Sequence, residues 1–197
     1  MQKGIKFRIY PNKEQQNLIN QTFGCCRLIY NKGLAMRNEA YDSGNKIGYA
    51  QTSAMLTELK KCEDFAFLKV VDSIALQQSL RDLDRGFVNF FQKRAAHPTF
   101  KSKHNRHQSY RTVNQGDHIR ITGKYIKLPK LGDIKIRQSM EVGKINNVTI
   151  QCAPTGKYFA VLNVEFEPQP SPNNGGSIGI DVGIKDFYSD SNGKVVS

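Results

Sequence analysis

The stretch from Asp72 to Ala95 reads DSIALQQSLRDLDRGFVNFFQKRA, with Leu76, Leu80, Leu83, Phe87 and Phe90 four and three residues apart in turn. That spacing lays a single apolar stripe along an α-helix and predicts a member of a helical bundle. His97-Pro98 then breaks the helix, because proline lacks an amide hydrogen and disfavours helical backbone in the residue before it. Beyond the break the pattern changes from helical to alternating, so the fold turns on this stretch.

Working back towards the N-terminus, Lys6 to Tyr10 alternates as a short strand. Pro11, Asn12 and Gln15 supply a helix start with a capping box. Leu18, Ile19, Phe23, Cys26, Tyr30 and Leu34 continue at helical spacing, predicting a long helix to about Asp42, where Ser43-Gly44-Asn45 ends it. A further helix is expected from about Gln51 to Cys62. Forward of His97, short strands are expected over Ile119 to Leu128, Ile134 to Arg137, Asn147 to Cys152 and Tyr158 to Phe166, with Thr155-Gly156-Lys157 as a hairpin turn. Asn114-Gln115-Gly116-Asp117 reads as a turn, and Pro168 to Gly176 as a linker. The expected fold class is α+β.

Charge narrows the function. The 197 residues carry a formal net charge of +12, which points to a polyanionic partner. The charge is concentrated between Lys93 and Arg137: twelve Lys and Arg against Asp117 and Asp133, with His97, His104, His107 and His118 in the same tract. Phe100, Tyr110 and Tyr125 lie there too, as candidate stacking groups for bases or ribose. No apolar run approaches the roughly 18 residues of a membrane span and Met1 to Tyr10 has no signal-peptide core, so a cytoplasmic protein without membrane contact is expected. Cys25, Cys26, Cys62 and Cys152 show no Cys-x-x-Cys spacing and read as reduced core thiols. His104 and His107, beside Lys103 and Arg106, suit phosphate better than a metal cation.

Near the C-terminus, Ser177 to Phe187 reads as a buried strand with Asp181 between Ile180 and Val182. A buried carboxylate needs a partner, and a divalent metal is one of the few that makes such a position useful. Gly183 allows a turn, Phe187 to Ser189 resumes as strand, and Asp190-Ser191-Asn192-Gly193 turns back towards Lys194 to Val196. Strand, turn and strand with an acid in the first strand is how ribonuclease-H-like nucleases begin; there, acids hold two metal ions for phosphodiester cleavage.

Six stretches in order carry a family resemblance. They are Phe7 to Pro11, Arg27-Leu28-Ile29-Tyr30-Asn31, Ala75 to Asp84 leading to Phe90-Phe91, Pro98 to Lys103, Ile126 to Gly132, and Gly179-Ile180-Asp181-Val182-Gly183-Ile184-Lys185. The chain resembles the TnpB (OrfB) proteins of bacterial insertion sequences, transposase-associated relatives of RNA-guided nucleases. The resemblance implies a small β-barrel (wedge) domain from 1–10 and 97–170, interrupted by a helical recognition insert, 11–96, with a helix-turn-helix region. A linker, 171–176, and the start of a RuvC-like nuclease domain, 177–197, would follow.

It further implies binding of a guide RNA from the transposon end and of target DNA. Asp181 would be the first catalytic acid, holding Mg²⁺ only together with partner acids outside these 197 residues, and the chain carries no zinc ligands. The residues expected at nucleic acid are Arg81, Arg85, Lys101, Lys103, Arg106, Tyr110, Arg111, Lys127 and Lys130. The expected function is therefore an RNA-guided DNA endonuclease of this kind, truncated and unable to cleave alone, with a separate C-terminal nuclease half as a further partner. The alternative is a non-catalytic nucleic-acid-binding regulator or relic. The expected location is cytoplasmic and nucleoid-associated.

Overall fold

The computed structural model describes residues 1–137, 142–167, 178–183 and 187–196. The chain divides into two compact units, Met1–Phe166 and Glu167–Ser197. The expected linker, 171–176, lies outside the described residues, as do Ser177, Ile184 and Lys185 of the stretches quoted above.

In the first unit a strand, β1 (Gln2–Tyr10), leads through Pro11 into α1 (Lys13–Asp42). The capping box forms: Asn12 Oδ1 accepts from the Gln15 amide at 2.8 Å, and Gln15 Oε1 accepts from the Asn12 amide at 3.0 Å. Gln15 Nε2 also donates to the carbonyls of Leu131 and Asp133, both at 3.0 Å, which ties the helix start to a distant strand. Gly44, at φ 77°, turns the chain after the helix. α2 (Tyr49–Leu59) follows, then a 3₁₀ helix, Glu63–Lys69, that sequence periodicity did not reveal. Such a helix is too short to display a stripe.

α3 (Ser73–Phe91) starts at Asp72, whose Oδ1 accepts from the Ile74 amide at 2.9 Å. The helix stops at Phe91, short of Ala95 and before His97-Pro98. Lys93 takes φ 57° and donates its amide to the Phe90 carbonyl, the left-handed ending that unwinds a helix without proline.

The remaining strands of this unit are β2 (Gln108–Val113), β3 (Arg120–Thr122), β4 (Tyr125–Leu128), β5 (Gly132–Arg137), β6 (Ile145–Cys152) and β7 (Tyr158–Glu165). The run Ile119 to Leu128 is two strands, divided at Gly123 (φ 56°). β2 emerges from the part of the basic tract where no strand was expected. The hairpin at Gly156 (φ 73°) forms as expected, with the Ala153 amide donating to the Lys157 carbonyl at 2.9 Å.

The sheet is antiparallel in the order β2-β6-β7-β1-β5-β4-β3. It curls into a half-barrel, which bears out the α+β class and the expected small barrel in part: β2 and β3 are edges and do not pair. Their connection is held instead by Asn114. Its Nδ2 donates to the carbonyls of Ile119 and Ile145 at 2.9 and 3.0 Å, while its Oδ1 accepts from the Ile119 amide at 2.8 Å.

Sheet and helices share one core. Phe7, Ile9, Ile134, Ile136, Ile150 and Leu162 on the sheet cluster with Ile19, Phe23, Ile29, Leu68, Leu76 and Leu80 on the helical side. Tyr30, Leu34, Leu83 and Phe87 form a second cluster between α1 and α3. Arg37 of α1 reaches Asp84 of α3 at 2.7 Å and lies 4.0 Å from the Phe87 ring centroid. Of the thiols read as core, Cys25 and Cys26 are buried, whereas Cys62 is exposed and Cys152 half-buried.

The second unit is a three-stranded antiparallel sheet in the order β10-β9-β8, with β8 (Ile180–Asp181), β9 (Tyr188–Asp190) and β10 (Val195–Val196). Its tight turn is set by Asp190, whose Oδ1 accepts from the amides of Asn192 and Lys194, both at 2.9 Å. Ile180 and Val182 are exposed, 59% and 72%, and Asp181 with them. The buried strand expected here is thus corrected. A two-residue strand in so small a sheet builds no second layer of its own, so burial supplies no argument for a metal at Asp181.

The α1–α3 crossing yields a test. A Cβ at Gly33 would lie 2.8 Å from Leu80 Cδ2 and 3.1 Å from Leu83 Cδ2, whereas one at Gly24 meets only the Arg27 side chain at 4.0 Å. Overpacking costs about 1–3 kcal/mol, against a helix-propensity gain of about 0.5–1 kcal/mol for alanine over glycine. Gly33→Ala is expected to lower Tm by roughly 2–6 °C, and Gly24→Ala to leave it unchanged or raise it, measured by circular dichroism melting.

Candidate nucleic-acid interface

Strand alternation sorts the sheet's side chains into two faces. Phe7, Ile9, Ile126, Leu128, Ile134 and Ile136 point to the core. Their neighbours Lys6, Arg8, Tyr10, Tyr125, Lys127, Lys135 and Arg137 therefore share the opposite, outward face.

Register then aligns these groups across strands. Arg8 stands directly opposite Arg137 on one side and Phe159 on the other, and Phe159 is opposite Gln151. Tyr10 is opposite Lys135, which is opposite Tyr125; Lys127 faces Arg120 and Asp133. Cations lie against rings: Lys6 Nζ is 4.4 Å from the Phe159 centroid and the Arg8 guanidinium 5.2 Å from that of Tyr10. Arg8 Nε is buried and has no hydrogen-bond partner among the described residues. Two arginines paired across a ladder repel each other unless an anion sits between them.

Lys6, Arg8, Tyr10 and Phe159 were not among the candidates drawn from the sequence. The alternation of Lys6 to Tyr10 could have placed the first three on one face. Their alignment with Arg137, Lys135 and Phe159 depends on pairings more than a hundred residues apart, which no local pattern reveals.

The predicted residues divide by location. Lys101, Lys103 and Arg106 lie in the exposed segment after α3, shaped locally by Ser102 Oγ accepting from the His104 amide at 3.1 Å and Asn105 Oδ1 from the His107 amide at 2.9 Å. Asn31 clamps this segment to α1: its Nδ2 donates to the Lys101 carbonyl at 3.0 Å and its Oδ1 accepts from the Lys101 amide at 2.8 Å. The Lys101 ammonium rests 4.0 Å from the Tyr30 ring centroid. Desolvation there lowers its pKa, partly offset by the Asp82 carboxylate. Two of the quoted stretches, Arg27 to Asn31 and Pro98 to Lys103, thus meet in space.

Lys127 is on the outward face of β4, and Lys130 is exposed in the β4–β5 turn at φ 65°. Arg81 and Arg85 are exposed one turn apart on α3, with the Arg81 guanidinium 4.5 Å from the Tyr49 centroid. Phe100 and Tyr125 are exposed.

Two candidates are engaged within the protein. Tyr110 is 7% exposed and packs edge-on against Phe23 with centroids 5.6 Å apart, so it belongs to the core and offers no open face to a base. Burial raises its hydroxyl pKa well above the usual value. Arg111 is half-buried in an ion pair with Asp82 of α3, so its charge is already answered within the protein.

Asp181 lies in the second unit, opposite Ser189. Among the described residues no group of three or more His, Cys, Asp or Glu side chains is arranged to hold a metal. A single exposed carboxylate does not match a two-ion centre, which needs several oxygen ligands per ion, so no catalytic step is derived for these residues. Among the described residues no helix is long and apolar enough to cross a membrane.

The Asn31 clamp is testable by limited trypsin digestion. Each hydrogen bond of this kind contributes about 1 kcal/mol, so Asn31→Ala is expected to speed cleavage after Lys101, Lys103 and Arg106 by roughly fivefold or more, with Tm little changed. An unchanged rate would remove the clamp from the account of this segment.

Comparison with known proteins places the chain among relatives. A helix-turn-helix domain model of the OrfB kind matches residues 1–46. In this structure that region is one strand and a single long helix, β1 and α1, with no second helix within the match. A candidate RNA-guided DNA endonuclease of Streptomyces pristinaespiralis is 35% identical over 100% of this chain and 50% of its own length. The candidate RNA-guided DNA endonuclease InsQ of Escherichia coli (strain K12) is 35% identical over 98% of this chain and 48% of its own. The virulence protein VsdF of Salmonella dublin is 36% identical over 53% of this chain and 96% of its own. The chain spans about half the length of the first two relatives. On these matches, together with the six stretches that run its length, the chain belongs to the TnpB/OrfB family.

Proposed function

We propose that the chain binds a guide RNA across the outward face of its sheet and the adjoining 98–107 segment, as the nucleic-acid-binding part of an RNA-guided DNA endonuclease. Target DNA is then selected by pairing with the guide, while the protein reads backbone and shape. The observation that carries this reading is the Arg8–Arg137 pair, flanked by Lys6, Lys127 and Lys135. Such a row is costly in the free protein and is relieved by a phosphate chain running across the strands. Lys103, Arg106 and Lys130 extend the surface, and Arg81 and Arg85 on α3 supply further contacts. Cleavage belongs to a complete set of acids with Mg²⁺, to which these residues contribute Asp181; the 197 residues alone bind without cutting.

A second reading, a non-catalytic nucleic-acid-binding regulator, draws on the Salmonella dublin relative, 96% of which aligns with only 53% of this chain. A related protein of that size is shorter than this one. The two readings share the binding face and differ in whether a nuclease half ever acts with it.

Fluorescence anisotropy with a structured RNA from an insertion-element end tests the binding. The logarithm of affinity should fall linearly with the logarithm of salt concentration. Arg8→Ala and Arg137→Ala should each weaken binding about tenfold and reduce the slope by about 1. Affinity indifferent to salt and to both substitutions would overturn the reading. Incubation with supercoiled plasmid and Mg²⁺ is expected to leave the plasmid intact, and nicking abolished by Asp181→Ala would show that these residues cut unaided.

A further inference from the structure

Beside the arginine row the sheet is indented. A cavity of about 200 Å³ has Lys6, His107, Gln108, Ser109, Gln151 and Phe159 among its lining residues. It is smaller than the roughly 300–1,000 Å³ of pockets for drug-sized ligands, a size for one planar heteroaromatic group. Phe159 supplies an apolar ring. Gln151 and Ser109, paired across β6 and β2, make no side-chain hydrogen bond among the described residues. Gln108 is already oriented by Arg27, which donates to its Oε1 at 3.4 Å, and by its own Nε2 donating to the Asn105 carbonyl.

We propose that this cavity receives one unpaired nucleobase of the bound RNA, stacked on Phe159 and read at its edge by Gln151. The proposal rests on the binding face described above and adds a site of base recognition to it. Lys6 holds the place in the free protein, with its ammonium 4.4 Å from the Phe159 centroid. On binding, that cation–π contact is exchanged for base stacking, and the ammonium turns to the phosphate of the same nucleotide. The exchange is favourable because a charge-assisted contact to phosphate is stronger than an exposed cation–π contact. Arg8, directly opposite Phe159, is positioned for the neighbouring phosphate. A carboxamide offers a donor and an acceptor side by side, the match for adenine N6 and N7.

The test uses the whole chain and two fluorescein-labelled probes of equal charge, an oligoadenylate 12-mer and an abasic ribose-phosphate 12-mer, with an oligocytidylate 12-mer as third. The adenylate strand is expected to bind about tenfold tighter than the abasic one. Phe159→Leu, which keeps the apolar contact but removes the aromatic face, should cut that ratio to about twofold. Gln151→Leu should erase the preference for adenylate over cytidylate without affecting the abasic strand. If Phe159→Leu leaves the ratio intact, or weakens both strands equally, the pocket is not a base site. Abasic binding insensitive to Arg8→Ala is a different failure, that of the outward face itself.

Discussion

Everything in the larger unit depends on β1 lying at the centre of its sheet. Its residues pair with β7 from Gln2↔Glu165 to Ile9↔Tyr158 and with β5 from Arg8↔Arg137 to Tyr10↔Lys135. A central strand at the N-terminus obliges the helices, which follow it directly, to leave the sheet and return before the sheet can close. The loops so formed are more than a hundred residues long, and their closure entropy is offset only when both ladders and the shared core form together.

Gln15 shows how that return is held. One carboxamide completes the cap of α1 and bonds the carbonyls of Leu131 and Asp133 at the start of β5. Asp72 does similar work at the other end. It caps α3 through Oδ1, while Oδ2 accepts from the Thr112 hydroxyl on β2. Asn31 makes a third such link, to Lys101. In each case a side chain that satisfies backbone groups locally, or that lies on a helix face, also spans to a segment remote in sequence. The helices are thereby fixed to the sheet's edge and inner side, leaving the cationic row on the face opposite to them.

The electrostatic arrangement follows from the same constraint. Twelve basic residues between Lys93 and Arg137 look like one patch in sequence, but folding disperses them. Arg111 is used against Asp82 and Lys101 rests on Tyr30, whereas Lys127, Lys135 and Arg137 join Arg8 and Lys6 from the N-terminus. Tyr110 shows why an aromatic in a basic tract is ambiguous. In the strand QSYRTV it alternates inward with Thr112, and its ring is needed by Phe23 rather than by a base.

The sequence by itself determined the three α-helices, the capping box, the hairpin at Gly156, the α+β class and the family, because each depends on residues a few positions apart or on motifs read in order. Net charge needs no coordinates either, and the +12 of the chain raised the expectation of a polyanionic partner. The early stop of α3 at Lys93, the open sheet, the exposure of Asp181 and the alignment of Arg8 with Arg137 and Phe159 were decided by tertiary structure. Each depends on what a residue meets from another part of the chain. A strand's alternation says which side chains share a face, but only the register across strands says which of them become neighbours.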